Sequence, residues 1–104
     1  MAYTVVDAGD YDQRRKPIAG DLGARAIRMN QFDNQPNQAG FEHDERESGQ
    51  EEIYIPLRGA GYLRVDGEEV PLAPGRYILV SPETTRQVVA GPDGFAYAVV
   101  GAVV

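Results

Sequence analysis

From Gly40 onward the chain is cut into short pieces by turn-forming residues: Arg58-Gly59, Asp66-Gly67, Ala73-Pro74-Gly75, Ser81-Pro82-Glu83-Thr84 and Gly91-Pro92-Asp93-Gly94. Turn signals returning about every 8–12 residues leave room for strands but not for helices of ordinary length, and they mark a sandwich or barrel rather than alternating strands and helices. No stretch shows a convincing helical period. The pattern therefore predicts an all-β domain.

The spacing predicts strands over Glu51–Leu57, Tyr62–Val65, Glu69–Leu72, Arg76–Val80, Thr85–Ala90 and Phe95–Val100. Asp66-Gly67 readily takes up the positive φ values of a two-residue hairpin and fixes the register of the strands beside it. Upstream, Ala24–Met29 alternates loosely and is expected to be a strand, with Asp33-Asn34-Gln35-Pro36-Asn37 as loop. Residues 1–23 show neither period and read as an N-terminal arm, with Tyr3, Val5 and Val6 as a short edge strand. At 104 residues the whole chain, 1–104, is expected to form one domain.

Composition narrows the function. A formal charge of −6, with no lysine or arginine stripe to reverse it locally, argues against nucleic acid as a partner. Without cysteine there is no disulfide framework, thiolate metal site or cysteine nucleophile. No run approaches the roughly 18 apolar residues of a membrane span, and no basic leader precedes an apolar core, so no membrane association and a cytoplasmic location are expected. Nucleophile-elbow, phosphate-loop and dinucleotide fingerprints do not occur.

Alternation along Glu51–Leu57 places Glu52, Tyr54 and Pro56 on one face and Ile53, Ile55 and Leu57 on the other. Only one face of a barrel strand can line the interior. The second apolar row needs a cover, and a homodimer that supplies it is expected.

The chemistry-bearing residues concentrate between Gly40 and Arg86: the only histidine, His43, and the carboxylates of Glu42, Asp44, Glu45, Glu47, Glu51 and Glu52. This segment resembles the cupin family. Glu52 followed after six residues by Gly59 matches the end of the first cupin motif, His43 takes the place of its first histidine, and the second falls at Glu45. The later motif, ordinarily Pro-any-Gly-any-any-His, reads Pro82-Glu83-Thr84-Thr85-Arg86, with an arginine for the histidine. The resemblance implies a double-stranded β-helix, or jelly-roll, barrel whose centre in family members holds Fe, Mn, Ni or Zn on three imidazoles and a carboxylate. Mapped here, it leaves His43, Glu45 and Glu52 as metal ligands if a metal is bound, because a guanidinium offers donors only. No cofactor is firmly implied.

Arg86 has two roles open to it. Its cation can pair with Glu52 or Glu45 and stand in for the metal's charge, or it can hold a substrate carboxylate through two parallel hydrogen bonds. The leading expectation is a barrel that binds a small polar or anionic molecule, with Glu52, Tyr54 and Arg86 in the pocket. Two alternatives stand beside it: a metal-dependent isomerase, epimerase or dioxygenase built on His43, Glu45 and Glu52, which the resemblance implies, and a non-catalytic oligomerising or regulatory module, which the apolar rows and the sparse site suggest.

Overall fold

A computed structural model describes residues 2–104. In chain order the strands are β1 (Arg15–Lys16), β2 (Arg28–Asn34), β3 (Gln50–Val65), β4 (Glu68–Leu72), β5 (Ile78–Val80) and β6 (Arg86–Val103). A 3-10 turn at Ala8–Asp10 precedes them, and a five-residue helix, α1 (Ile18–Leu22), lies between β1 and β2. All pairing is antiparallel.

Two strands are long enough to serve both layers. The first half of β3 lies between β5 and the end of β6, with Glu52 opposite both Val80 and Gly101. Its second half lies between β4 and the start of β6, with Leu63 opposite both Val70 and Val88. Between the halves the register with β6 slips twice, at Pro56/Arg58 and at Gly59/Gly61. Such bulges bend and twist a strand, here enough to carry it from one layer to the next. Gly61 is required at the crossing, since a Cβ there would run into the Val89 carbonyl oxygen and stand 2.9 Å from Phe95 Cδ2.

One layer is thus β1, β2, the end of β6, the start of β3, and β5; the other is the start of β6, the end of β3, and β4. Residues 39–43 extend the second layer through bridges from Ala39 to Val89 and from His43 to Arg86. The core between the layers gathers Tyr54, Leu63, Leu72, Val80, Val88, Phe95, Tyr97 and Val99. Phe32, Tyr97 and Phe95 stack in sequence, with centroids 5.2 and 5.0 Å apart. Asp66 and Gly67, at φ 48° and 79°, close the β3–β4 hairpin where the sequence places it.

Several boundaries differ from those the sequence suggests. Positions 91–94 and 58–61 read as turns, yet β6 and β3 run through both, because each strand bends at its glycines without ending. The strand expected over Ala24–Met29 begins only at Arg28 and continues to Asn34. Asp33 and Asn34, polar enough to suggest a loop, pair with Ala96 and Phe95, and Asn34 Oδ1 accepts from Arg14 Nη1 at 2.8 Å.

Tyr3, Val5 and Val6 form no strand, and Tyr3 and Val5 are exposed. Within the arm, whose first residue lies outside the described ones, β1 pairs with β2 and α1 buries Ile18 and Ala19. Gly23, at φ 80°, ends α1 by donating its N–H to the Ala19 and Gly20 carbonyls. A helix this short leaves no period for sequence reasoning to detect. Among the described residues no helix is long and apolar enough to cross a membrane.

Candidate functional site

The inward rows of the first layer form one wall of a cavity of about 480 Å³. Strand register sets these rows: Arg28, Gly101 and Glu52 lie side by side, then Asn30, Val99 and Tyr54, then Arg15, Phe32 and Tyr97. Gly40, Phe41, His43 and Val88 face them from the second layer. Gly101, at the centre of the first row, lies beneath the Gln50 side chain, and any Cβ there would approach Gln50 Oε1 to 2.7 Å and Glu52 Cγ to 3.4 Å.

His43 is positioned by a reciprocal backbone pair with Arg86, its N–H donating to the Arg86 carbonyl and accepting in return, each at 2.9 Å. Its Nδ1 lies 2.8 Å from Glu45 Oε2. Glu45 is fixed at its backbone by the Pro82 carbonyl, and its Oε1 accepts from Ser48 Oγ, both at 2.8 Å. With Glu52, these residues bring one ligand atom each to within 4.8 Å of one another, close enough to hold a divalent ion.

Arg86 is buried at 1% exposure and is not among the residues that line the cavity. Its Nη2 donates to Glu52 Oε1 at 2.8 Å, its Nε to the Tyr54 hydroxyl at 3.3 Å, and its Nη1 to the Thr84 and Ser81 carbonyls at 2.7 and 3.2 Å. Tyr54 in turn donates to Glu52 Oε1 at 3.2 Å. Of the two roles the sequence leaves open to Arg86, the contacts supply the pairing with Glu52. A ligand in the cavity would meet Glu52 and the tyrosines, with the guanidinium behind them.

Burial works against the charge on Arg86, but the hydrogen bonds to Glu52 and Tyr54 and their charges outweigh it and hold its pKa above the ordinary arginine value. Tyr54 is raised well above the usual tyrosine range, first by burial and then by the Glu52 charge. Burial also pushes Tyr97 up to about 12, against the opposing pull of Arg14 and Asn34. Both phenols are neutral at physiological pH.

The pattern Glu52-any-Tyr54 and the motif positions His43 and Glu45 were legible in the sequence. Arg14, Arg15, Arg28 and Asn30, which also line the cavity, were not singled out. Arg28 and Asn30 alternate with Phe32 as strand residues do, whereas Arg14 and Arg15 carry no such signal.

The profile of the AraC-like ligand binding domain family matches residues 34–102. The chain belongs to that family. Its fold is that of a cupin β-barrel: a cupin protein from Bacteroides fragilis superposes with a TM-score of 0.85 at 21% identity, covering 99% of this chain and 86% of its own. A Cupin 2 conserved barrel domain protein from Salinispora arenicola gives 0.77 at 20% identity, covering 98% and 88%. A sugar phosphate isomerase from a cupin superfamily of Silicibacter pomeroyi gives 0.72 at 22% identity, covering 90% and 67%. No curated protein sequence matches the chain.

The raised tyrosines predict a pH dependence with a definite sign. Above about pH 10, the ordinary tyrosine value, unfolded chains lose phenolic protons that folded chains keep, so the folded state binds more protons and stability falls as pH rises. In an alkaline titration followed by ultraviolet absorbance, Tyr54 and Tyr97 should ionise only with unfolding, and their replacement by phenylalanine should remove that late step. Early, reversible ionisation of every tyrosine would contradict the buried placement.

Proposed function

We propose that the chain binds a small polar or anionic molecule in the barrel cavity, without a tightly held transition metal. The observation that carries this reading is the 2.8 Å bond from the buried Arg86 to Glu52. A divalent ion on Glu52 would lie about 5 Å from that guanidinium and be opposed by roughly 7 kcal/mol at an effective dielectric near 20, before the carboxylates offset it. The remaining donors fit a transition metal poorly: one imidazole whose Nδ1 is engaged with Glu45, and two carboxylates already bonded within the protein. The ligand-binding family of the chain supports a binding role for the cavity itself.

A second reading, a metal-dependent isomerase, epimerase or dioxygenase, draws on the convergence of His43, Glu45 and Glu52 and on the Silicibacter pomeroyi structure, which is described as a sugar phosphate isomerase. Elemental analysis separates the two. After exhaustive dialysis the wild-type protein should carry substoichiometric transition metal, and Arg86→His, which replaces a cation with a neutral nitrogen ligand, should bind Zn²⁺ or Ni²⁺ more tightly. Retention of about one metal per wild-type chain, as a closed set of strong ligands gives, would favour the second reading. Thermal shift against a broad small-molecule set tests binding itself, since any ligand of the folded state raises the transition temperature.

The reading includes a homodimer. Leu79, Ile53, Val100 and Met29 form one outward row across β5, β3, β6 and β2, with Leu79 at 59% and Ile53 at 41% exposure, and Ile55 and Leu57 continue it along β3. A contiguous apolar stripe on a sheet face is what a second copy would cover. Light scattering should give twice the chain mass at tens of micromolar, and Ile53→Glu should give the monomer. A wild-type monomer at that concentration would refute the dimer and leave the cavity reading in place.

A further inference from the structure

The cavity's charges are sorted by strand. Arg14, Arg15 and Arg28 enter from β2 and from β1 with the residue before it, whereas Glu45 and Glu52 enter from β3 and the segment before it. The carboxylates are compensated locally, Glu52 by Arg86 and Glu45 by hydrogen bonds from Ser48 and with His43. The arginines are not. Among the described residues none of the three lies within 4 Å of a carboxylate, although the chain has sixteen acidic residues against ten basic ones.

Arg14 is held in place without being neutralised. Its Nη1 donates to Asn34 at 2.8 Å, and its guanidinium lies 5.0 Å from the Phe32 ring centroid and 5.8 Å from that of Phe41. A planar guanidinium fixed by stacking loses little freedom when it binds an oxyanion, and it offers the fork that carboxylates and phosphates match.

Across the first row the distance is set by the sheet. Arg28 and Glu52 are two strands apart with Gly101 between them, so their backbones are about 9–10 Å apart, and the Gln50 side chain reaches over Gly101 between them. Among the described residues Glu52 Oε2 meets no donor, so it is left to accept from a ligand in the cavity that Glu52 lines.

We infer that the cavity's ligand is a small hydroxylated anion, its carboxylate or phosphate held by Arg14, Arg15 and Arg28 and its hydroxyl groups donating to Glu52. This rests on the binding role proposed above and assigns the chemistry of the occupant. A second anionic group on the ligand would face Glu52 and Glu45 and be repelled, so the charge sits at one end. The row spacing suits a chain of roughly four to six carbons once hydrogen-bond distances at both ends are subtracted.

Calorimetric titration with four six-carbon probes tests the assignment: gluconate, sorbitol 6-phosphate, sorbitol and hexanoate. Gluconate or sorbitol 6-phosphate should bind at least about tenfold more tightly than both sorbitol, which lacks the anion, and hexanoate, which lacks the hydroxyls, a gap of the size one charge-assisted contact supplies. The tighter of the two anions identifies carboxylate or phosphate. Arg15 and Arg28 are exposed, so the Arg15→Gln/Arg28→Gln variant should fold and lose most of that gap; a circular dichroism spectrum like that of wild type confirms the fold. Sorbitol binding as tightly as the tighter of the two anions, or an unchanged gap in the variant, overturns the inference and leaves the binding role standing. Failure of all four probes also overturns it, and the broad thermal-shift set then decides the binding role separately.

Discussion

A guanidinium with no access to water sits at the heart of this barrel, and the surrounding structure is arranged to make that tolerable. An unpaired buried cation would cost several kcal/mol, so every direction in which Arg86 points must end on an acceptor. Glu52 and Tyr54 on β3 and the Ser81 and Thr84 carbonyls of the turn before β6 supply them. One side chain thereby ties β3 of the first layer to the turn that opens β6. The backbone of the same residue holds His43 through two hydrogen bonds, so the candidate site and the ion pair share one anchor.

The pair also shapes what the cavity can hold. Arg86 compensates Glu52 from behind and fixes one of its oxygens, which leaves the other oxygen to the cavity. In family members the resemblance implies that a metal occupies the barrel's centre; here a protein cation lies against the matching carboxylate. Long strands that bend between layers, instead of ending, keep both walls of the cavity within one hydrogen-bonded sheet system.

Local chemistry carried most of what the sequence disclosed. Asp66-Gly67 specified its hairpin because few other pairs accept positive φ at two successive residues, and the alternation of Glu52, Tyr54 and Pro56 specified the inward face of β3 because the side-chain period of a strand is two. What stayed hidden depends on pairing at long range. Whether Gly91–Gly94 ends a strand or bends it is decided by the partner residues on β3 and not by the glycines, and α1 is too short to show a period. Arg14 and Arg15 lie in a stretch without pattern, and only the pairing of β1 with β2 and of β2 with β6 brings them, with Arg28, to the cavity that contains Glu52.

A double-mutant cycle on stability tests the central role of the ion pair most directly, using Glu52→Gln, Arg86→Met and the two combined, each unfolded in urea. Glu52→Gln alone strands a buried charge and should cost about 3–5 kcal/mol. The double variant, with no charge left to compensate, should be clearly more stable than the sum of the single losses requires, with a coupling of at least about 2 kcal/mol. Single losses that add to within about 0.5 kcal/mol would mean that the two residues act independently, and the barrel would not be organised around their pairing.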